Sequence, residues 1–211
     1  MTELLTDVGR VTARRALTRD KLMNAATSVF AERGIIGASV EEICEAAGFT
    51  RGAFYSNFAD KDALVLALIQ QGIQFQYAAA ERAIGSMKDA PDDLDPAALV
   101  SRVLTDFEAA GRTGRETVLT QQELLLHAAR QPALREPYLE FADACAAQMA
   151  TLISDAMAHG KLEFILPVAE AMELLIAAHE HMQVTSLFTG QVDSRVLHTL
   201  VMSITRPAHT G

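Results

Sequence analysis

The segment Ser39–Lys61 constrains the fold of this chain more than any other stretch. It holds start and stop signals for two short helices and the start of a third. Ser39 stands at an N-cap position and Glu42 follows three residues later, the spacing of a capping box. Val40, Ile43 and Ala47 recur at helical spacing and define one apolar face. Gly48 is the expected stop, since glycine takes the left-handed C′ conformation without a Cβ penalty. Thr50 is placed to cap the next helix, in which Phe54 and Phe58 lie four apart and face inward. Arg51, Gly52, Ala53, Tyr55, Ser56 and Asn57 remain on or beside the outer face, and Asp60 caps a third helix that Lys61 begins. A recognition helix needs this division. Aromatic anchors sit behind it, and small or hydrogen-bonding residues in front let the backbone enter a major groove. The pattern is that of a helix-turn-helix that reads DNA.

The run Thr50-Arg51-Gly52-Ala53-Phe54-Tyr55-Ser56-Asn57-Phe58-Ala59-Asp60-Lys61-Asp62-Ala63-Leu64 resembles the signature of the TetR family of transcriptional regulators. Ala31-Glu32-Arg33-Gly34 and Ser39-Val40-Glu41-Glu42-Ile43 extend the similarity, which covers roughly residues 18–68. Ala53 departs from it, because the family usually carries threonine or serine there, and one contact to phosphate or base is lost with the hydroxyl. The expected DNA-facing set follows from the motif. Arg51 and Asn57, with Ser56, would reach base edges; Ser39, Thr50, Tyr55 and Lys61 would hold phosphates; Gly52 and Ala53 allow close approach.

Charge alone would not have pointed to DNA. The chain of 211 residues carries a net charge of −9. Residues 1–62, however, hold eight basic against nine acidic side chains, so the acidity lies mainly in residues 63–211. Five basic residues (Arg10, Arg14, Arg15, Arg19 and Lys21) fall within 10–21 against Asp20 alone, as expected of an arm that follows phosphates or enters a minor groove. No apolar run approaches the roughly 20 residues of a membrane span, and the N-terminus lacks the pattern of a secretory signal. Cys44 and Cys145 are read as reduced packing residues of a cytoplasmic protein.

Strand-type alternation is absent, so the expected fold is all-α with about nine helices. The expected division is a flexible basic arm over 1–17, a three-helix DNA-binding domain over 18–62, and an effector-binding and dimerisation domain over 63–211. Helices are predicted at about 18–33 with Gly34 as stop, 61–87, 96–110 after a loop over 89–96, 115–130, 133–159, 167–189 and 194–205. Residues 133–136 are a candidate separate turn before Pro137.

The last two helices carry apolar residues on more than one face, which suggests a partner surface beside the core. The resemblance implies a homodimer made by these helices, with Met172, Ile176, Val196, Leu197, Leu200 and Val201 as interface candidates. It also implies an effector pocket between the linking helix and later ones. The candidate linings are Phe75, Leu104, Phe107, Gln122, His127, Met149, Ile153, Leu175, His179 and Met182, and the expected ligand is a mostly apolar small molecule. His179-Glu180-His181 does not read as a metal site, because side chains two apart on a helix diverge by about 200°. No metal, cofactor or enzymatic activity is expected, since nucleophile-elbow, phosphate-loop and paired-carboxylate motifs are absent. The expected function is a repressor that binds a palindromic operator on double-stranded DNA and is released by a ligand. An activator or effector-independent regulator of the same fold stays open. So does an all-α enzyme or storage protein with a vestigial DNA module.

Overall fold

The computed structural model describes residues 2–85, 95–111, 114–160 and 162–208, with side chains from Ala13 onward apart from Pro96. It divides into two compact units: Met1–Gln71 with Leu119–Tyr138, and Gly72–Val118 with Leu139–Gly211. The division therefore differs from the expected single boundary after residue 62. It assigns residues 119–138 to the first unit, because packing rather than chain order decides membership.

The first unit contains α1 (Thr2–Gly37), α2 (Val40–Ala47), α3 (Arg51–Tyr55), the start of α4 (Lys61–Gly85), most of α6 (Arg115–Arg130) and the beginning of α7 (Pro132–His159). The expected flexible arm over 1–17 is instead the N-terminal part of α1. Arg10, one of the five basic residues within 10–21, lies among the side chains outside the description. Gly34 interrupts α1 at φ 69° and ψ 164°, a conformation that only glycine adopts readily. The core is built from Leu22, Ala26 and Phe30 at i, i+4 and i+8 of α1, with Ile35, Ile43, Phe54, Leu64 and Val65, all at 0% exposure. Removing such side chains from water is the main force holding these short helices together, since a five-residue helix has no stability of its own.

The second unit contains the rest of α4, α5 (Pro96–Ala110), most of α7, α8 (Val168–Thr189) and α9 (Arg195–Ile204), with two short strands, β1 (Leu162–Phe164) and β2 (Thr205–Pro207). Asp95 caps α5 by accepting from the N–H groups of Ala97 and Ala98, and Pro96 takes the first helical position. The rest of the expected loop, residues 89–94, lies outside the description. Pro137 does not separate a turn, for α7 runs through it. It sits near the helix start and costs one backbone bond there. Gly190 closes α8 at φ 77° in the left-handed region.

The strands were not expected. They pair antiparallel, with Leu162 opposite Pro207, Glu163 opposite Arg206 and Phe164 opposite Thr205, and Arg206 Nε donates to Glu163 Oε1 at 2.6 Å. Three-residue strands are too short to show alternation, and their partners lie more than forty residues apart, so local pattern carries no sign of them. Helix α9 accordingly ends at Ile204, and the chain continues as strand to Pro207.

Candidate DNA interface and effector cavity

The helix-turn-helix is assembled by the caps. The Glu42 N–H donates to Ser39 Oγ at 3.2 Å while the Ser39 N–H donates to Glu42 Oε2 at 2.9 Å, completing the capping box. Arg33 adds an ion pair to Glu42 at 2.6 Å. The Ser39 hydrogen bonds, and more weakly Arg33, hold the Glu42 carboxyl below its ordinary value of 4.5. This contribution is complete above that ordinary value and is lost as pH falls through the lowered one. Ser39→Ala should cost about 1 kcal/mol of stability, read from the chemical denaturation midpoint, and a parent-like midpoint would count against the box.

Gly48 ends α2 at φ 70° and ψ 32°, where the Phe49 N–H reaches the Cys44 carbonyl at 2.8 Å. Thr50 then caps α3 through Oγ1, which accepts from Ala53 N–H at 3.3 Å. Phe54 and Phe58 are buried with ring centroids 5.6 Å apart, and they fix which face of α3 turns outward. That face carries Thr50, Arg51, Gly52, Tyr55 and Ser56, all exposed, while Ala53 is half-buried. Arg51 Nη1 lies 2.8 Å from Glu41 Oε1, and its guanidinium stands 5.8 Å from the Tyr55 ring centroid. The Tyr55 hydroxyl, then the Glu41 carboxylate, raise the Arg51 pKa further above its ordinary value. The guanidinium is thus permanently charged and exposed.

Two residues expected on this face are turned elsewhere. Asn57 is half-buried, its Nδ2 donates to the Ala53 carbonyl at 2.8 Å, and its Oδ1 is buried without a partner among the described residues. Its amide is folded onto its own turn instead of standing out from the face. Lys61 Nζ donates to the carbonyls of Ile35 at 2.7 Å and Ala38 at 2.9 Å. Two of its three donors therefore close the end of α1. Ser39, half-buried, is occupied by its capping box.

Other positioning residues carry no motif. Arg15 Nη2 donates to the Ser56 carbonyl at 2.8 Å and Arg19 Nη1 to that of Asn57 at 3.3 Å, while the Arg19 guanidinium lies 4.5 Å above the Phe58 ring. Part of the basic cluster assigned to a DNA-following arm thus caps the end of the α3 turn. A search for partners of those orphan carbonyls is the signal that finds it. Helix α6 adds three more bonds within the same unit. Thr120 Oγ1 donates to the Thr27 carbonyl at 2.8 Å, Glu123 Oε2 accepts from Ile35 N–H at 3.1 Å, and His127 Nε2 lies 2.8 Å from Asp62 Oδ1.

The second unit holds a cavity of about 270 Å³. Its walls come from α4 (Gln76, Ala80, Ala83 and Ile84), α5 (Leu99, Val100, Val103, Leu104 and Phe107) and α7 (Met149, Ile153, Ala156 and Met157). Leu162 and Phe164 of β1, Met172, Leu175, Ile176, His179 and Glu180 of α8, and Leu197 and Val201 of α9 complete the lining. Of the expected linings, Leu104, Phe107, Met149, Ile153, Leu175 and His179 meet here. Phe75 and Met182 do not line it, and Gln122 and His127 belong to the first unit, where His127 is engaged with Asp62. The expected interface set is also divided. Met172 and Leu197 are 5% and 4% exposed and line the cavity, as do Ile176 and Val201, so the first two cannot present themselves to a second copy. Leu200 is half-buried, and Val196 and Ile176 keep 46% and 42% exposure.

Polar groups in the cavity wall are few. Gln76, His179 and Glu180 supply them, and no lysine or arginine is among the described residues of the lining. Burial pushes the His179 imidazole below its ordinary 6.5, so the ring is neutral. No cluster of three metal-ligating side chains occurs among the described residues, and none of their helices is long and apolar enough to cross a membrane. Burial raises the Cys44 and Cys145 thiols, which keeps both protonated.

A capped helix-turn-helix with an exposed Arg/Tyr face, followed by a mainly helical unit with an apolar cavity, defines a helix-turn-helix protein of two units. Residues 22–68 match the family model for bacterial regulatory proteins of the tetR family. The chain is 39% identical over 85 residues to the HTH-type transcriptional repressor Rv1474c of Mycobacterium tuberculosis, a stretch of 38% of this chain and 46% of that repressor. It therefore spans about half of that relative's length. A TetR-family transcriptional regulator from Rhodococcus sp. shares the fold at a TM-score of 0.67 and 24% identity, over 88% of this chain and 95% of the other. The transcriptional regulator FadR from Bacillus subtilis, in complex with stearoyl-CoA, shares it at a TM-score of 0.65 and 19% identity, over 87% and 98%. Over its N-terminal domain the chain is thus similar to the TetR family of transcriptional regulators.

Proposed function

We propose that the protein is a cytoplasmic, homodimeric transcriptional repressor that binds a palindromic operator and releases it when a mostly apolar small molecule occupies the cavity. The observation that carries this is the outer face of α3. It presents an exposed, permanently charged Arg51 beside an exposed Tyr55 and a side-chain-free Gly52, on a helix held by caps at both ends. Thr50, Tyr55 and Ser56 reach phosphate or base edges from that face, and Arg51 exchanges the Glu41 carboxylate for a guanine edge. Asn57 and Lys61 contribute by shaping the motif. Exposed apolar residues of α8 and α9, namely Leu174, Ile176, Val184, Phe188, Val196 and Met202, form the surface for the second copy. Two-fold symmetry then sets the recognition helices about one DNA turn, ~34–36 Å, or a multiple of it, apart. A ligand with unequal affinity for the bound and released conformations shifts that spacing and with it the affinity for DNA. The FadR complex supports the ligand half of this scheme, as a protein of the same fold that holds a small molecule.

Selection of bound duplexes from a random pool tests the proposal. It should yield an inverted repeat, bound as a dimer by sedimentation. Arg51→Ala should lower affinity for that duplex by about 1–3 kcal/mol, tenfold to more than a hundredfold, and relax preference at a single base pair of each half-site. The melting temperature should stay within error, because the Arg51 side chain is 62% exposed. Unchanged affinity for Arg51→Ala combined with Tyr55→Ala would remove α3 as the reading element.

A further inference from the structure

The cavity wall of the second unit contains a neutral histidine whose hydrogen bonding is incomplete. Nδ1 of His179 is buried and has no partner among the described residues. A buried polar atom left unpaired costs free energy that a bonded guest can return. Phe107, another lining residue, stands edge-on to the imidazole with centroids 5.4 Å apart and supplies no conventional donor or acceptor. Nearly all of the remaining lining is hydrocarbon or thioether, and among the described residues it holds no cation that would neutralise a carboxylate or phosphate. The cavity of about 270 Å³ compares with the ~150 Å³ that accommodates one benzene ring.

We propose that this cavity selects an uncharged, two-ring-sized or comparable hydrocarbon molecule carrying one hydroxyl group, and that the hydroxyl bonds to the His179 imidazole. A hydroxyl suits this ring because it both donates and accepts, so it pairs with either nitrogen of a neutral imidazole. A carboxylate only accepts and must be stripped of water against a largely apolar wall whose described residues include no cation to meet it. The ligand class rests on the effector-controlled regulator proposed above and names the chemistry of its site.

The test uses the full chain with 2-naphthol, naphthalene and 2-naphthoate as probes of equal shape, followed by calorimetry or probe fluorescence. 2-Naphthol should bind up to about tenfold more tightly than naphthalene, the yield of one net hydrogen bond, and 2-naphthoate more weakly than both. His179→Leu, checked for parent-like helicity and melting, should retain naphthalene and erase the advantage of 2-naphthol. His179→Asn, which restores a donor and an acceptor, should recover part of it. Equal binding of naphthol and naphthalene by the parent, tightest binding of naphthoate, or no binding of any probe overturns the assignment. The regulator itself is tested separately on the selected duplex. A His179-dependent preference for naphthol without any change in DNA affinity supports this site and overturns effector control. Loss of probe binding with intact DNA binding overturns the site and leaves the DNA reader standing.

Discussion

Phe54→Ala is expected to destabilise the first unit by about 3–5 kcal/mol and to abolish operator binding. Phe54 is at 0% exposure and lies at the centre of the motif. Its ring meets Tyr55 edge-on at 5.3 Å and Phe58 at 5.6 Å, and Phe58 is in turn covered by Arg19 at 4.5 Å. Removing the ring leaves a cavity that a five-residue helix between two turns cannot fill without moving, so α3 loses the anchor that sets its outward face. Denaturation should show the loss of stability, and amide exchange should place it in α1–α4. Tyr55→Ala is the control: that side chain is 49% exposed, so its removal should act mainly on DNA affinity. Parent-like stability of Phe54→Ala would mean that α3 is held by its caps alone.

Gly34→Ala should cost about 2–4 kcal/mol, the second-largest effect foreseen here. Two causes add. At φ 69° and ψ 164° an alanine is strained in its backbone. Its Cβ would also stand 3.0 Å from Glu123 Oε2, the atom that accepts from Ile35 N–H at 3.1 Å. The carboxylate can swing away only by giving up that bond, which leaves a backbone donor short of its partner. Gly37→Ala separates this from a general glycine effect, because its Cβ would meet nothing nearer than Arg33 Cβ at 3.8 Å. It should stay within about 0.5 kcal/mol of the parent. Adding Glu123→Ala to Gly34→Ala relieves the clash but not the strain, so the double variant should remain destabilised. Full recovery would assign the whole effect to Glu123.

Much of the candidate DNA-binding face was legible because its signals are local. Ser39 with Glu42, Gly48, Thr50, and the four-residue spacing of Phe54 and Phe58 each act within one helical turn, so residue order alone states them. The intramolecular partners of Asn57 and Lys61 were not legible for the complementary reason. A motif says that a polar side chain is near the face, while its donors go to whichever carbonyl the fold brings closest. For Lys61 these are the carbonyls of Ile35 and Ala38, and for Asn57 that of Ala53. The effector linings split in the same way. Periodicity marks Leu104, Phe107, Met149 and Leu175 as inward-facing, yet gives no means of knowing that His127, equally inward, lies in the other unit beside Asp62.

The order of residues by itself determined the helical class, the helix-turn-helix with its outward Arg51 and Tyr55, and the glycine that interrupts the first helix before it. Each depends on neighbours a few positions away, where backbone sterics and capping act without reference to the rest of the chain. Only the tertiary structure decided what holds that motif in place and what the second unit can contain. Arg15 meets Ser56 across 41 residues and Glu123 meets Ile35 across 88, and the cavity gathers side chains from five helices and a strand. Such contacts arise from packing of whole faces, in which burying apolar surface selects the arrangement and the polar groups take the partners it brings.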